Sequence, residues 1–329
     1  MKKALQKVLD TFFRQFSSTA ELVDRLIDSR EHPQEILLLL CGRLDALASG
    51  SVREGEPGAK SFSHFITAHG RRRQLFESIS IGDLYYEVNY HRWLLPGTLA
   101  KAGRLHRFSH IDDGILHLLT ESDIPLTRQA ATRLLTGILE ALRRHFRVTP
   151  SQPTRKLATA TRSEVTRIIL QGLETVLSRE CLTRLPNALK PLLGSKTVSR
   201  ILYEKFRCGV IHGGHVLIDQ EKFFGETEPY WTPLFSEHYG SFLLVEFPAR
   251  FLASLLHNCI EGYRFHLIAK GKVPPDILFQ VFEGEVLKYA RLMDSDLLPE
   301  GGPVKLCNTT PLGRKREMFL NLLTCRSRR

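Results

Sequence analysis

Apolar residues at helical spacing are the feature that most restricts the folds open to this chain. Residues 2–16 and 20–29 carry them every three or four positions, which aligns the side chains along one face of a helix. The first stretch has the clearer pattern, with Leu5, Val8, Leu9, Phe12, Phe13 and Phe16. Amphipathic helices bury such faces by packing on one another, so the pattern predicts a mainly α-helical fold.

Residues that start and stop helices divide the rest of the chain. Pro33 stands at a helix start, and the apolar helix over 35–48 that follows is expected to end at Ser49–Gly50. Shorter elements are predicted over 61–95, closed by Pro96–Gly97. The further predicted helices are 111–120, 126–146, 163–181 with Ser163 as N-cap, 249–270 after Pro248, and 275–293.

Two short segments, 215–218 and 242–247, have the composition of β-strands and are predicted to pair. Residues 148–161 contain two prolines and four threonines and are predicted to be a linker. The chain is therefore divided into N-terminal helices over 1–58 that pack with a C-terminal bundle, a helical middle region or insertion over 59–150, and a C-terminal region over 162–329.

The charge of the chain restricts its partners. Lys and Arg number 46 against 35 Asp and Glu, a formal net charge of +11. Such an excess favours a polyanion, which can be nucleic acid, an anionic membrane surface or an acidic protein. It carries no information about sequence specificity.

The cysteines and the apolar runs favour a cytoplasmic protein. The six cysteines form no Cys-x-x-Cys pair, which fits reduced thiols better than a disulfide framework or a zinc ribbon. Lys7 interrupts any apolar region of a signal peptide, and the longest apolar run, 36–41, is too short for a bilayer. We expect no membrane association, no cofactor and no metal.

The candidate catalytic pair is Arg207 and His212, five residues apart in the stretch 202–214. A guanidinium binds two phosphate oxygens at once, and an imidazole transfers protons near neutral pH. Gly213–Gly214 is expected to end the preceding helix, which would leave His212 at an exposed helix end. Looser matches occur at Arg25/His32, Arg104/His110 and Arg250/His257, so the spacing alone is weak evidence.

The sequence around this pair resembles a known signature. Leu-Tyr-x-x-Phe-Arg-x-Gly-Val-Ile-His-Gly over 202–213 is similar to the motif of the HEPN superfamily, whose members share Arg-x4–6-His in an all-helical fold. A looser similarity covers 35–49 and 242–270, so that about half of the chain is included. The resemblance implies a HEPN-like helical bundle over 162–329, with an additional helical region and one short strand pair.

The resemblance also implies a function. Many similar proteins are metal-independent endoribonucleases, often toxins or anti-phage defence effectors, that act as dimers with two Arg/His pairs facing one cleft. By that analogy Arg207 holds the scissile phosphate, and His212 acts on the ribose 2′-hydroxyl or the leaving oxygen. The products carry a 2′,3′-cyclic phosphate and a 5′-hydroxyl. The implied partners are RNA, a second copy of the chain, and an antitoxin or regulatory protein.

One departure from the resemblance keeps an alternative open. The residue after the motif arginine is commonly Asn or another polar residue in the family, whereas here it is Cys208. A thiol is a poor hydrogen-bonding substitute for an amide. The alternative is a non-catalytic HEPN-like module that binds RNA, a nucleotide or a protein.

Further RNA-binding residues are predicted around the motif and on the helix after Pro248. Tyr203, Lys205 and His215 flank the catalytic pair. Arg250, His257 and Arg264 recur every seven residues and so share one helix face, which could follow a phosphate backbone. The alternative for this stripe is a solvated basic face.

A weaker metal hypothesis rests on residues of metal-ligand type. They are His106, His110, Asp112, Asp113 and His117. Only Asp113 and His117 have helical spacing, and a polar loop followed by a capped helix start explains the cluster more simply. Arg71–Arg73 is expected to be a charged turn, and Gly194–Thr197 lacks the earlier glycine of a phosphate-binding loop.

Overall fold

Helices dominate the structure, a computed structural model that describes residues 2–51, 58–102, 113–122, 127–148, 155–156, 158–204, 219–236, 240–272 and 274. The prediction of a mainly α fold is confirmed. All of the described residues belong to one compact unit, Lys2–Gln280. The division into regions 1–58, 59–150 and 162–329 stays a prediction.

The elements follow one another in this order. They are α1 (Lys2–Ser29), α2 (Pro33–Ser49), α3 (Gly58–His69), α4 (Arg73–Glu77), β1 (Ile79–Ser80), α5 (Ile81–Ala102), α6 (Asp113–Glu121), α7 (Arg128–Phe146), β2 (Arg155–Lys156), β3 (Thr159–Ala160), α8 (Arg162–Leu173), α9 (Arg179–Ser195), α10 (Val198–Ile201), α11 (Gln220–Gly225), β4 (Tyr230–Ser236), β5 (Gly240–Glu246) and α12 (Ala249–Lys270).

The first three helices pack with the last helix that the structure describes. α12 lies against α1, α2 and α3, and its Tyr263 ring makes edge contacts with Phe13 of α1 and Phe65 of α3. α1 is one continuous helix, although the sequence predicts two stretches. The Thr19 hydroxyl donates to the Gln15 carbonyl within the helix, and Ala20 and Val23 continue the buried stripe.

Two helix predictions agree closely with the structure. α2 begins at Pro33, where a missing N–H costs no helical hydrogen bond. α12 begins after Pro248 and ends at Gly271, whose φ of 60° places it in the left-handed region that favours glycine. Both boundaries depend on the backbone properties of a single proline or glycine, which can be read from the sequence.

A second group of helices packs in the middle of the chain. α5 contacts α7, α7 contacts α8, and α6 contacts α9. α7 and α8 approach closely, because a Cβ added to Gly172 would lie 2.4 Å from the Cβ of Ala141. A larger residue at this glycine would therefore force the two helices apart.

The described residues also form two small antiparallel sheets. β1 pairs with β3, and β4 lies between β2 and β5. The predicted strand over 242–247 exists as β5, but its described partner is β4, with Tyr230 opposite Glu246, and not 215–218, which lies outside the described residues. The predicted linker contains β2 and β3, so this segment takes part in both sheets.

Two other boundaries differ from the prediction. α5 continues through Pro96–Gly97, since its packing against α7 and β5 outweighs the local preference for a stop. The helices predicted over 163–181 correspond to α8 and to the first residues of α9, which continues to Ser195. Thr161, not Ser163, caps α8, and Ser178 caps α9 by accepting a hydrogen bond from the Cys181 amide. The predicted helix over 275–293 lies outside the described residues.

Candidate functional site

The structure describes the chain on both sides of the predicted catalytic motif. Arg207 and His212 lie outside the described residues, as do Lys205 and His215, because the description stops at Glu204 and resumes at Asp219. Tyr203 is described, and its half-buried ring lies 5.4 Å from the Phe62 ring of α3. This contact joins the residues just before the motif to α3.

The junction between α9 and α10, which precedes the motif, carries a buried ion pair. The Lys196 ammonium donates to the Glu87 carboxylate of α5 at 2.7 Å. His91 lies one turn further along α5, and its Nε2 is 2.8 Å from the other Glu87 oxygen. Because a carboxylate only accepts hydrogen bonds, the His91 Nε2–H is the donor.

The charge state of Glu87 follows from these two partners. Burial by itself would raise the pKa of the carboxyl. The hydrogen bond from His91 and the charge and hydrogen bond of Lys196 outweigh burial and lower the pKa to about 2. Glu87 is therefore ionised at neutral pH, and it compensates the buried ammonium.

Backbone hydrogen bonds fix the same junction to the start of α5. The Ser80 amide donates to the Lys196 carbonyl at 2.9 Å, and the Val198 amide donates to the Ser78 carbonyl at 3.0 Å. The Ser80 hydroxyl in turn donates to the buried carboxylate of Asp83 at 2.7 Å. Side-chain and main-chain contacts thus hold the chain in place a few residues before the motif.

Gly194–Thr197 serves this junction and not a phosphate-binding loop. α9 continues to Ser195, and the Lys196 side chain is engaged with Glu87. Thr197 occupies the N-cap position of α10. The lysine that a phosphate-binding loop would direct at a ligand is therefore already neutralised inside the protein.

The basic stripe on α12 faces a matching acidic stripe on α1. Arg250 bonds to Asp28 at 3.1 Å, His257 to Asp24 at 2.9 Å, and Arg264 to Asp10. All six side chains are partly exposed, so these are surface ion pairs. We call this set the α1–α12 ladder. The three basic side chains connect the two helices, and their predicted role in RNA binding stays a prediction.

The three consecutive arginines at the start of α4 are also paired. Arg71 bonds to Glu261 of α12 at 2.9 Å, and Arg73 bonds to Glu77 at 2.8 Å. Arg72 bonds to Glu228 and lies over the Phe251 ring, 5.2 Å from its centroid. The predicted charged turn is thus neutralised by carboxylates from three parts of the chain.

The described residues of the predicted metal cluster do not form a metal site. His106, His110 and Asp112 lie outside the described residues. Asp113 is exposed in the first turn of α6, and the half-exposed His117 follows it on the same helix. Among the described residues no three His, Cys, Asp or Glu side chains gather at a distance suited to one metal ion.

Comparison of the chain with protein-family models, with curated proteins and with solved structures found no match. The HEPN resemblance therefore depends on the residues of this chain alone. Within the ranges that the structure describes, no helix is long and apolar enough to cross a bilayer.

Sequence reasoning missed the network of Lys196, Glu87 and His91. Part of its signal was available, since Glu87 and His91 are four residues apart on a largely apolar helix. A buried carboxylate in such a place requires a cation, and the sequence alone does not indicate that Lys196 supplies it.

Proposed function

We propose that the protein is a metal-independent endoribonuclease of the HEPN type. Arg207 binds the scissile phosphate, and His212 transfers a proton. The observation that carries this proposal is the stretch 202–214, in which an aromatic and basic segment leads into Arg-x4-His and a double glycine follows. The excess of positive charge suits an RNA substrate.

The described structure supports this choice over the looser Arg/His matches. Arg250 and His257 are bonded to Asp28 and Asp24 in the α1–α12 ladder. His32 has a φ of 56° beside the start of α2 and lies 3.8 Å from Glu35. Arg250 and His257 thus have structural partners, and Arg104/His110 lies outside the described residues.

The anchored junction before the motif also supports the proposal. Catalytic groups act best when they are held in a fixed geometry. Lys196 and Tyr203, on the chain that leads into the motif, are both engaged with other helices, through Glu87 and Phe62. These contacts hold the chain in a fixed position immediately before the motif.

The proposed reaction is transesterification within the RNA. The ribose 2′-oxygen attacks the adjacent phosphorus, and the bond from phosphorus to the 5′-oxygen breaks. The proton leaves the 2′-hydroxyl and is delivered to the departing 5′-oxygen, with His212 as the proton carrier. Arg207 stabilises the extra negative charge on the non-bridging oxygens.

Incubation of the full chain with single-stranded RNA and excess chelator tests the proposal. We expect cleavage with 2′,3′-cyclic phosphate ends that disappears in His212→Ala and Arg207→Gln. Arg25→Gln with His32→Ala is the matched control, because it removes an exposed Arg and an exposed His of a looser match, and it should still cleave. Absence of cleavage by the wild type, or equal cleavage by His212→Ala, would refute the catalytic role.

The biological setting that we propose is a cytoplasmic homodimer that acts as a toxin or defence effector under an antitoxin or regulatory protein. Light scattering of the purified chain measures the dimer. Expression of wild type against His212→Ala in a bacterial host measures toxicity. A monomer, or equal growth with both forms, would remove this part of the proposal while leaving the cleavage assay to stand by itself.

A non-catalytic module is the second candidate, and Cys208 is the observation that favours it. This candidate predicts RNA binding that weakens steeply with salt while the RNA stays intact. The same incubation decides between the two, since intact RNA that remains bound to the wild type would support the module and refute the nuclease.

A further inference from the structure

A groove of about 1520 Å³ lies between the α3–α4 side of the molecule and α8–α9. It is larger than the roughly 300–1,000 Å³ of ordinary small-molecule sites, so its size suits a segment of a polymer. Tyr203 and the α12 stripe (Arg250, His257 and Arg264) are not part of its described lining. Hydroxyl side chains line much of it, among them Ser63, Thr67, Thr159, Thr161, Ser163 and Thr166.

Three exposed cations also line this groove: Arg162, Arg167 and Lys190. Unlike the arginines of the α1–α12 ladder, they have no carboxylate at ion-pair distance among the described residues. Arg167 donates to the neutral Gln171 amide at 3.0 Å. These three side chains are thus cations that no described carboxylate pairs with directly.

The described lining also contains three carboxylates, which offset the formal charge of the three cations, although one of them is already paired. Glu77 is paired with Arg73. Glu164 and Glu174 line the same groove on α8 and beyond its end, and neither bonds to any of the three cations. Thr161 and Ser163 open α8 beside the groove, where the positive end of the helix dipole adds to the attraction for an anion.

We propose that this groove binds the sugar–phosphate backbone of single-stranded RNA. The choice of RNA rests on the proposed function, and the contacts rest on the groove itself. Arg, Lys, Ser and Thr side chains and helix N-termini are the groups that bind phosphates and sugars. Among the described lining residues the one Phe, Tyr or Trp is Phe76, which is fully buried, so His64 is the only exposed ring of the described lining. We therefore expect most contacts in the groove to be made with the backbone rather than with the bases.

The test uses a fluorescent 2′-O-methyl RNA oligonucleotide and the full chain. The methyl group blocks attack by the 2′-oxygen, so the probe stays intact whether or not the protein is a nuclease. Replacement of Arg162, Arg167 and Lys190 by Gln should weaken binding by about 50-fold at roughly 0.15 M salt, and should make the slope of log K against log salt shallower by about 2.

A matched control removes the same charge elsewhere. Arg14, Arg25 and Arg133 are exposed, lie outside the groove and have no ion pair among the described residues. Their replacement by Gln should weaken binding by less than about threefold, because only distant, screened charge is lost. Equal weakening by the two triple variants would overturn the groove as the binding site.

A second pair of variants guards against misfolding. Thr166 in the groove and Thr11 on α1 are both half-exposed and both donate to the carbonyl four residues earlier, at 2.8 and 3.1 Å. Thr166→Glu should weaken binding of the probe about tenfold, through repulsion of the phosphates. Thr11→Glu should leave it unchanged, and equal effects of the two would overturn the proposal.

Polyglutamate competition separates RNA from an acidic protein. We expect an excess of polyglutamate to leave the probe bound, whereas displacement at equal concentration of charge would assign the groove to an acidic partner and overturn the RNA proposal. If the wild type binds the probe in the groove but does not cleave RNA, the proposed nuclease activity alone is refuted. If the wild type cleaves RNA and the groove variants bind the probe as tightly as the wild type does, the groove alone is refuted as the binding site.

Discussion

Lys196 and Glu87 are 109 residues apart in the chain and form an ion pair of 2.7 Å. Their side chains are only 10% and 18% exposed. The desolvation of such a pair costs about as much as its attraction returns, so its main effect is to fix which segments meet. Here it fixes the junction between α9 and α10 against α5, a few residues before the candidate catalytic motif.

Removal of one partner of this pair should be costly. Lys196→Met leaves the Glu87 carboxylate buried with His91 alone, and we expect the free energy of unfolding to fall by about 3–5 kcal/mol. Urea unfolding measures the change. Arg200→Met is the control, since it breaks the exposed pair with Glu204 and should cost at most about 1 kcal/mol.

The double variant Glu87→Gln with Lys196→Met should be more stable than the sum of the two single losses predicts, because no buried charge then remains without a counter-ion. If Lys196→Met costs no more than Arg200→Met, or if the losses add, the pair does not hold the junction as described.

His69 should make stability depend on pH. Burial, followed by the neighbouring His266, lowers the pKa of His69 from 6.5 to about 4, although a hydrogen bond with the Gly262 backbone acts in the opposite direction. On acidification the unfolded chain therefore takes up the proton first. The stabilising contribution is complete above about pH 6.5 and is lost as the pH falls towards about 4.

Urea midpoints measured across this pH range test whether stability falls, as expected, when the pH is lowered. His69→Phe keeps a ring against Phe65 and Tyr263 but cannot titrate, so its stability should fall less between about pH 6.5 and 4 than that of the wild type. A profile for His69→Phe parallel to the wild type would contradict the assignment.

The α1–α12 ladder should stabilise the fold in a salt-dependent way. Replacement of Arg250, His257 and Arg264 by Gln should lower the free energy of unfolding by no more than about 2 kcal/mol, because exposed pairs contribute little each. The loss should nearly vanish at about 1 M salt, where the screening length is about 3 Å. Urea unfolding at low and high salt gives both values.

The same triple variant also decides the role predicted from the sequence. If the ladder is mainly structural, the triple variant should bind the 2′-O-methyl RNA probe as tightly as the control variant does, in which Arg14, Arg25 and Arg133 are replaced by Gln. Binding that is clearly weaker than that control would instead support the stripe as an RNA contact.

The parts of the fold that follow from local chemistry could be predicted. Pro33 and Gly271 are boundaries of α2 and α12 in both sequence and structure, because a missing amide hydrogen and a left-handed φ act at the residue itself. The continuation of α5 through Pro96 and the pairing of β5 with β4 could not, since tertiary packing decides both.

The candidate site shows the same division. The spacing of Arg250, His257 and Arg264 was visible, and it correctly placed them on one helix face. That Asp10, Asp24 and Asp28 oppose them depends on α1 packing antiparallel to α12, which no local pattern contains. Lys190 likewise lines the same groove as Arg162 and Arg167 only because α9 packs on α8.

Cys208 offers the sharpest test of catalytic competence. The family that the motif resembles commonly has Asn or another polar residue after the motif arginine, and an amide forms stronger hydrogen bonds than a thiol. Cys208→Asn should therefore raise kcat/KM for RNA cleavage by up to about tenfold, the equivalent of one added hydrogen bond in the transition state. Cys208→Ala removes the thiol without adding an amide and should leave the rate nearly unchanged. The gain must disappear when His212→Ala is added to Cys208→Asn. A rate that falls equally in both Cys208 variants would show instead that the thiol itself contributes to catalysis. Cys208 would then be a functional replacement for the polar residue that is common at this position.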